Sequence, residues 1–381
     1  GSATNYSFTT TATATATVVQ ATISVVADAQ SVVYGNSLSS LTFSTNGFAN
    51  GQSASTAAGY VAPSCTTSPS YTRTTNVGST VNITCSGGSA TNYTFAYTPA
   101  ALTITQRSAL TITAASPAAI TYGAATPANS FTTSGLAPND VISSMTYKYS
   151  GTGYSETTTA PTLPGTYTIT PSAAVFSTGA TGNYSAINYA TGTYTINSAA
   201  LIITAASPTS IVYGSSKSSD TFTASGLNPS DLITSITYKY RGANTTIYAE
   251  TTTVPTQAGD YTITPSNAVL SGPGASSYTS ITYNAGTFSI TKKALTITPN
   301  NTNVAYGTVT PTYTFGVAGF IPGEDASTAA GYTPPVCTSS GYSKTANTGA
   351  TSTIACSGGS ATNYSFTTTA TATATVVQAT I

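Results

Sequence analysis

The chain has no histidine, no tryptophan and a single methionine. It is also almost uncharged: nine basic and nine acidic side chains make up 5% of 381 residues and leave zero net charge, against about 25% charged residues in an average domain. Without histidine there is no Ser-His arrangement and no imidazole base. The carboxylates Asp28, Asp140, Glu156, Asp220, Asp231, Glu250, Asp260, Glu324 and Asp325 are scattered, and only Glu324 and Asp325 stand side by side. No acid–base pair results, so no enzyme is expected. Zinc needs three or four ligands and calcium six or more oxygens, usually from clustered carboxylates; neither set exists, so no metal and no cofactor are expected. Zero net charge leaves no electrostatic footprint for nucleic acid or anionic lipid. No apolar run approaches the 18 residues of a membrane span, and no charged-then-apolar leader opens the sequence.

What is present is Thr, Ser, Ala, Gly and Tyr, with 40% hydrophobic residues. Disorder combines high charge with few β-branched residues, so this is not a disordered composition. Segments such as Ala109-Leu110-Thr111-Ile112-Thr113, Ala294-Leu295-Thr296-Ile297-Thr298 and Gly165-Thr166-Tyr167-Thr168-Ile169-Thr170 alternate apolar and hydroxyl side chains, the period of a half-buried strand. Turn signals such as Ala137-Pro138-Asn139-Asp140, Asn228-Pro229-Ser230-Asp231 and Ile321-Pro322-Gly323-Glu324 separate them at short intervals. The expectation is all-β: tandem immunoglobulin-like sandwiches, each of about seven short strands.

Two periods organise these strands. Residues 359–381 repeat residues 1–23 letter for letter, which predicts a 358-residue period cut from a longer tandem array, or a polymer whose units join here. Within it, Tyr-Gly recurs at Tyr34-Gly35, Tyr122-Gly123, Tyr213-Gly214 and Tyr306-Gly307. Thirteen residues after each tyrosine stands a glycine followed by a large apolar residue: Gly47-Phe48, Gly135-Leu136, Gly226-Leu227 and Gly319-Phe320. Four modules follow: A (21–106), B (107–198), C (199–292) and D (293–381, with the start of the next repeat), while 1–20 is the closing strand of a preceding D. In particular Phe8 to Val19 should match a closing strand of D at Phe366 to Val377. Each tyrosine is expected to give a ring to the core, and each following glycine to tolerate positive φ in a turn. A glycan platform of exposed tyrosines is the functional alternative, weakened by the lack of tryptophan. About three residues separate B from C, too few for free rotation, so the array should be a semi-rigid rod.

The four cysteines fall as Cys65 and Cys85 in A and Cys337 and Cys356 in D, in matched surroundings: STAAGY before the first of each pair, CSGGSATNY from the second. Spacings of 20 and 19 residues fit a bridge between two strands joined by a turn, and two cysteines per module are too few for zinc. Disulfides of this loop length should each stabilise a module by roughly 3 kcal/mol and imply an oxidising compartment.

The ALTIT-type opening strand, the Tyr-Gly about ten residues on, the Gly-Leu or Gly-Phe turn and a closing Gly-x-Tyr-x-Ile strand (Gly192-Thr193-Tyr194-Thr195-Ile196 in B) resemble the MBG (YGX-type) family of bacterial Ig-like repeats. Modules A and D depart from B and C after the Gly-Phe turn and carry the cysteine pair instead. The resemblance implies a large extracellular or bacterial cell-surface protein with adhesive associations, and it carries over no catalytic residue. Two functions are expected. The favoured one is a structural stalk or filament whose partners are adjacent repeats or identical subunits. The alternative is an adhesin binding glycan or protein through the loops near Pro138 to Asp140 and Pro229 to Asp231.

Overall fold

The computed structural model describes residues 3–7, 9, 13–309, 311–368 and 370–381. These form two compact units: 1–120 with 124–196, and 121–123 with 197–381. Each is built from paired β-sheets, and the only helix among the described residues is one 3₁₀ turn at Thr181–Asn183.

In the first unit, β1 (Ala21–Ala27) lies between β3 (Phe43–Asn46) and β6 (Tyr93–Thr98). β2 (Gln30–Val33), β7 (Ala100–Thr105), β5 (Val81–Ser86) and β4 (Ser64–Ser68) form the second sheet in that order. The alternation anticipated from sequence is what fills the space between them. Ile23, Val25 and Ala27 of β1, Val81 and Ile83 of β5, and Leu102 and Ile104 of β7 are buried in one cluster, while the hydroxyl-bearing residues between them are more exposed.

The pairing departs from a purely antiparallel sandwich. β1 runs parallel to β6, and β2 parallel to β7. The opening segment therefore crosses from one sheet to the other at Asp28, so a single stretch of chain helps close both sheets. The pattern recurs in the segments beginning with Leu110–Ala114, Ala199–Ala205 and Lys293–Pro299, which pair parallel with Ile187–Ala190, Tyr278–Asn284 and Tyr364–Thr368.

The segments differ in their second sheet. Where A has β4 and β5 and D has Val336–Ser340 and Thr351–Ser357, B pairs Val141–Gly151 with Gly165–Thr178 and C pairs Leu232–Ala243 with Gly259–Ser271. The long pairs carry register shifts between Ile142 and Thr146 and between Ile233 and Thr237, the irregularities that twist and bend extended ribbons. The short pairs are stapled instead: Cys65–Cys85 and Cys337–Cys356 are disulfides between directly opposed residues.

The expected twelve-residue closing strand of D is two strands. Tyr364–Thr368 joins Lys293–Pro299, whereas Ala372–Val377 joins Thr302–Ala305 and Thr351–Ser357 in the other sheet. The division follows from the sandwich itself, because a continuous strand cannot serve both sheets. Of the identical N-terminal segment, Phe8, Thr10, Thr11 and Ala12 lie outside the described residues; residues 13–19 form no strand and are exposed, Val18 at 95% and Val19 at 80%.

Candidate functional site: tyrosine–carboxylate clasps

Three of the four Tyr-Gly motifs place their tyrosine against a carboxylate of the following segment, whereas the ring of Tyr306, expected in the core, is half exposed. In the first unit, Tyr34 follows β2, fixed by its N–H bond to Thr105 O at 3.0 Å. Its ring is fully buried, and its Oη donates to Asp140 Oδ1 at 2.7 Å. The other oxygen of Asp140 accepts from Tyr184 Oη, which in turn accepts from the Ala137 N–H at 3.0 Å. The two rings meet edge to face with centroids 6.1 Å apart. Asp140 and Tyr184 are 6% and 3% exposed, so one carboxylate is held inside by two hydroxyl donors, which is how a buried charge becomes tolerable.

Gly35 adopts φ +84°, and a Cβ there would lie 2.9 Å from that of Ala137, so glycine serves both the turn and the close approach. The turn glycine Gly135 answers a related demand: at φ +90° a Cβ would sit 2.8 Å from Ala109 O. Neighbouring contacts complete the joint. Arg107 Nε donates to Gly135 O at 2.9 Å, Gln106 Nε2 to Gly182 O at 3.1 Å, and the Val77 N–H to Asn183 Oδ1 at 2.9 Å.

The second unit holds the arrangement twice. Tyr122 and Tyr278 donate to Asp231 Oδ2 at 2.9 and 2.7 Å, the Gly274 N–H donates to Oδ1 at 2.9 Å, and the Asn228 N–H donates to Tyr278 Oη at 2.9 Å. Tyr213 Oη donates to Glu324 Oε1 at 2.7 Å, Tyr364 Oη to Oε2, and the Ile321 N–H to Tyr364 Oη at 3.1 Å. These ring pairs are also edge to face, at 5.9 and 5.4 Å.

Burial, reinforced by the bonded carboxylates, raises the phenols above their ordinary value. Tyr184, Tyr278 and Tyr364 reach about 12, and Tyr34, Tyr122 and Tyr213 also shift upward. For Asp231, burial pushes the other way but is outweighed by hydrogen bonds from Tyr278, Gly274 and Tyr122, which hold the carboxyl below its usual range.

The structure therefore places Tyr34-Gly35, Tyr122-Gly123 and Tyr213-Gly214 in clasps, while Tyr306 of the fourth motif is 49% exposed. All four glycines have positive φ. The loops considered for ligand binding keep Pro138, Asn139, Pro229 and Ser230 exposed, but turn their charged members Asp140 and Asp231 inward. Glu324 belongs to a clasp, and its neighbour Asp325 accepts from the N–H groups of Ser327 and Thr328. The signal for these sites was present in the sequence, because the acid stands five residues after each turn glycine at Asp140, Asp231 and Glu324. Among the described residues no group of three or more His, Cys, Asp or Glu side chains could hold a metal, and no helix is long and apolar enough to cross a membrane.

No curated protein matches the chain. Among solved structures, the three N-terminal domains of the Highly Immunogenic Outer Capsid protein of bacteriophage RB49 align at 13% identity and TM-score 0.25, over 66% of this chain and 93% of that one. Drosophila N-cadherin EC1-4 aligns at 10% identity and TM-score 0.21, over 78% and 83%. The N-terminal four Ig domains of Dscam1 isoform 9.44 align at 10% and 0.20, over 80% and 81%. Similarity at this level carries no argument about arrangement or activity. The profile of the MBG domain (YGX type) matches residues 23–103, 110–195 and 295–375. With most of its length so matched, the chain belongs to the YGX-type MBG domain family.

Proposed function

We propose that the chain is a segment of an extracellular structural protein of the bacterial cell surface: a semi-rigid stalk or filament of four stacked Ig-like modules, A (21–106), B (107–198), C (199–292) and D (293–381). It is non-enzymatic and works without a cofactor. The observation that carries this reading is the carboxylate shared by two tyrosines, which within the first unit joins A to B and within the second joins C to D. Bending such a joint breaks two charge-assisted hydrogen bonds and exposes aromatic surface, so the joint resists it. The two disulfides fit an oxidising compartment. The partners that follow are adjacent repeats or identical subunits. The adhesin reading is disfavoured by the inward aspartates, which take the charge of both candidate loops out of reach of a ligand.

Electron microscopy of the native material is the test. Periodic fibres with a module-sized repeat are expected; isolated rods ending in a distinct tip domain would favour the adhesin instead.

A further inference from the structure

One pole of module A carries a clasp with half of its members. Five residues after Gly47 stands Gln52, where the other modules have Asp140, Asp231 and Glu324. The surroundings are already built. Tyr93 Oη donates to Gln52 Oε1 at 2.7 Å and accepts from the Ala49 N–H at 3.0 Å, as Tyr184 does with Asp140 and the Ala137 N–H. Gln20 Nε2 donates to Thr91 O at 3.0 Å, matching the reach of Gln106 to Gly182 O. Where the joint in the first unit places Tyr34, module A has a cleft of about 280 Å³ whose lining includes Val19, Gln20, Ala49, Asn50, Gln52 and Tyr93.

The complementary half lies on module D. Tyr306 N–H bonds to Val377 O at 2.9 Å, as Tyr34 N–H bonds to Thr105 O at 3.0 Å, so its ring is presented from the same backbone setting. A Cβ on Gly35 would meet Ala137 at 2.9 Å, and those on Gly123 and Gly214 would meet Asn228 and Ile321; one on Gly307 meets nothing within 4 Å. Ala49 occupies in A the position that Ala137, Asn228 and Ile321 occupy in the other modules. A further coincidence points to a D-type partner. Exposed Val18 and Val19 line the cleft, and they repeat Val376 and Val377, the end of the strand that holds Tyr306.

We propose that the Gln52–Tyr93 cleft of module A is the receptor for Tyr306 on module D of a second copy of this chain, so that copies join head to tail. This rests on the structural reading above and names its contact. The amide suits the role: Gln52 Oε1 accepts from Tyr93 while Nε2 donates to the incoming Tyr306 Oη. A glutamine also spares the cleft, before docking, the buried, half-paired charge that a carboxylate would impose. Because the two surfaces differ, the contact is head to tail, and repetition extends it into an open chain wherever the rotation does not close a ring.

The test replaces Tyr306 with the photoreactive analogue benzoylphenylalanine in the full chain, illuminated across concentrations up to the millimolar range. Intermolecular cross-links mapping to peptides containing Ala49 to Gln52 or Asn92 to Tyr93 are expected. Gln52→Lys in the acceptor should reduce their yield by at least about tenfold with disulfides and thermal unfolding retained. If that variant misfolds, the peptide map on the unaltered acceptor surface still decides. Cross-links that are absent, confined to one chain or mapped to another surface overturn the proposal. Fibres seen under the microscope in those same samples would show that the structural reading survives that failure, whereas their absence would count against both.

Discussion

Modules A and B solve one problem in two ways. In B the second sheet is a long ribbon, Val141–Gly151 against Gly165–Thr178; in A it is five residues against six, Ser64–Ser68 against Val81–Ser86, and those are stapled by Cys65–Cys85. The ladder gives B what the covalent bond gives A. They differ likewise at the position five residues after the turn glycine, where B buries Asp140 between two tyrosines and A holds Gln52 with Tyr93 alone. A buried carboxylate is worth having where both donors come from the same folded unit; an amide is safer where one donor must arrive from elsewhere. A disulfide or charge on one side of the comparison should therefore fail differently from its counterpart.

The largest effect is expected from Asp140→Ala, which strands the Tyr34 and Tyr184 hydroxyls without their acceptor and should destabilise the first unit by about 4 kcal/mol, read by denaturant unfolding. Cys85→Ser should cost module A about 3 kcal/mol and leave the B ribbon nearly unchanged, as hydrogen exchange resolved by segment would report. Tyr213→Phe removes one donor from Glu324 and should cost the second unit about 2 kcal/mol. Gln52→Ala, which frees only Tyr93 Oη at a more accessible pole, should cost about 1 kcal/mol. Equal losses for Asp140→Ala and Gln52→Ala would contradict a difference between the charged clasp and the amide one.

pH separates the charged clasps from the amide in both directions. Asp231 has a folded pKa below its unfolded value of about 3.9, so its contribution is present above that value and fades as pH falls through the depressed folded one. Asp231→Asn should flatten this acid limb of the second unit's stability curve. The clasp phenols are raised, so their contribution is complete below about pH 10 and is lost as pH rises through the folded value, about 12 for Tyr278 and Tyr364. Ionisation of the clasp phenols should accordingly come late, together with unfolding, and Tyr278→Phe should advance the alkaline transition.

The sequence displayed the strands, the repeat of Tyr-Gly and the cysteine pairs because these are local signals: alternation of period two, a dipeptide at constant offset, and two matched flanks. It did not display the parallel pairing of β1 with β6, since alternation is blind to strand direction. Nor did it display the clasps. Tyr34 meets Asp140 across 106 residues, and no local pattern assigns a partner at that distance. The recurrence of an acid five residues after the turn glycine was there to be seen, but its meaning depends on which segment's tyrosine faces it. The segment from Phe366 to Val377 looks like one strand because it holds no charge and no proline, although Thr367, Thr368 and Thr369 interrupt its alternation; the two-sheet geometry divides it.

Tyr34 and Asp140 act together across the joint between A and B. A double-mutant cycle on Tyr34→Phe and Asp140→Asn, measured by denaturant unfolding of the full chain, tests it most directly. A coupling energy above about 1 kcal/mol is expected; single-variant losses that add to within about 0.3 kcal/mol would contradict it.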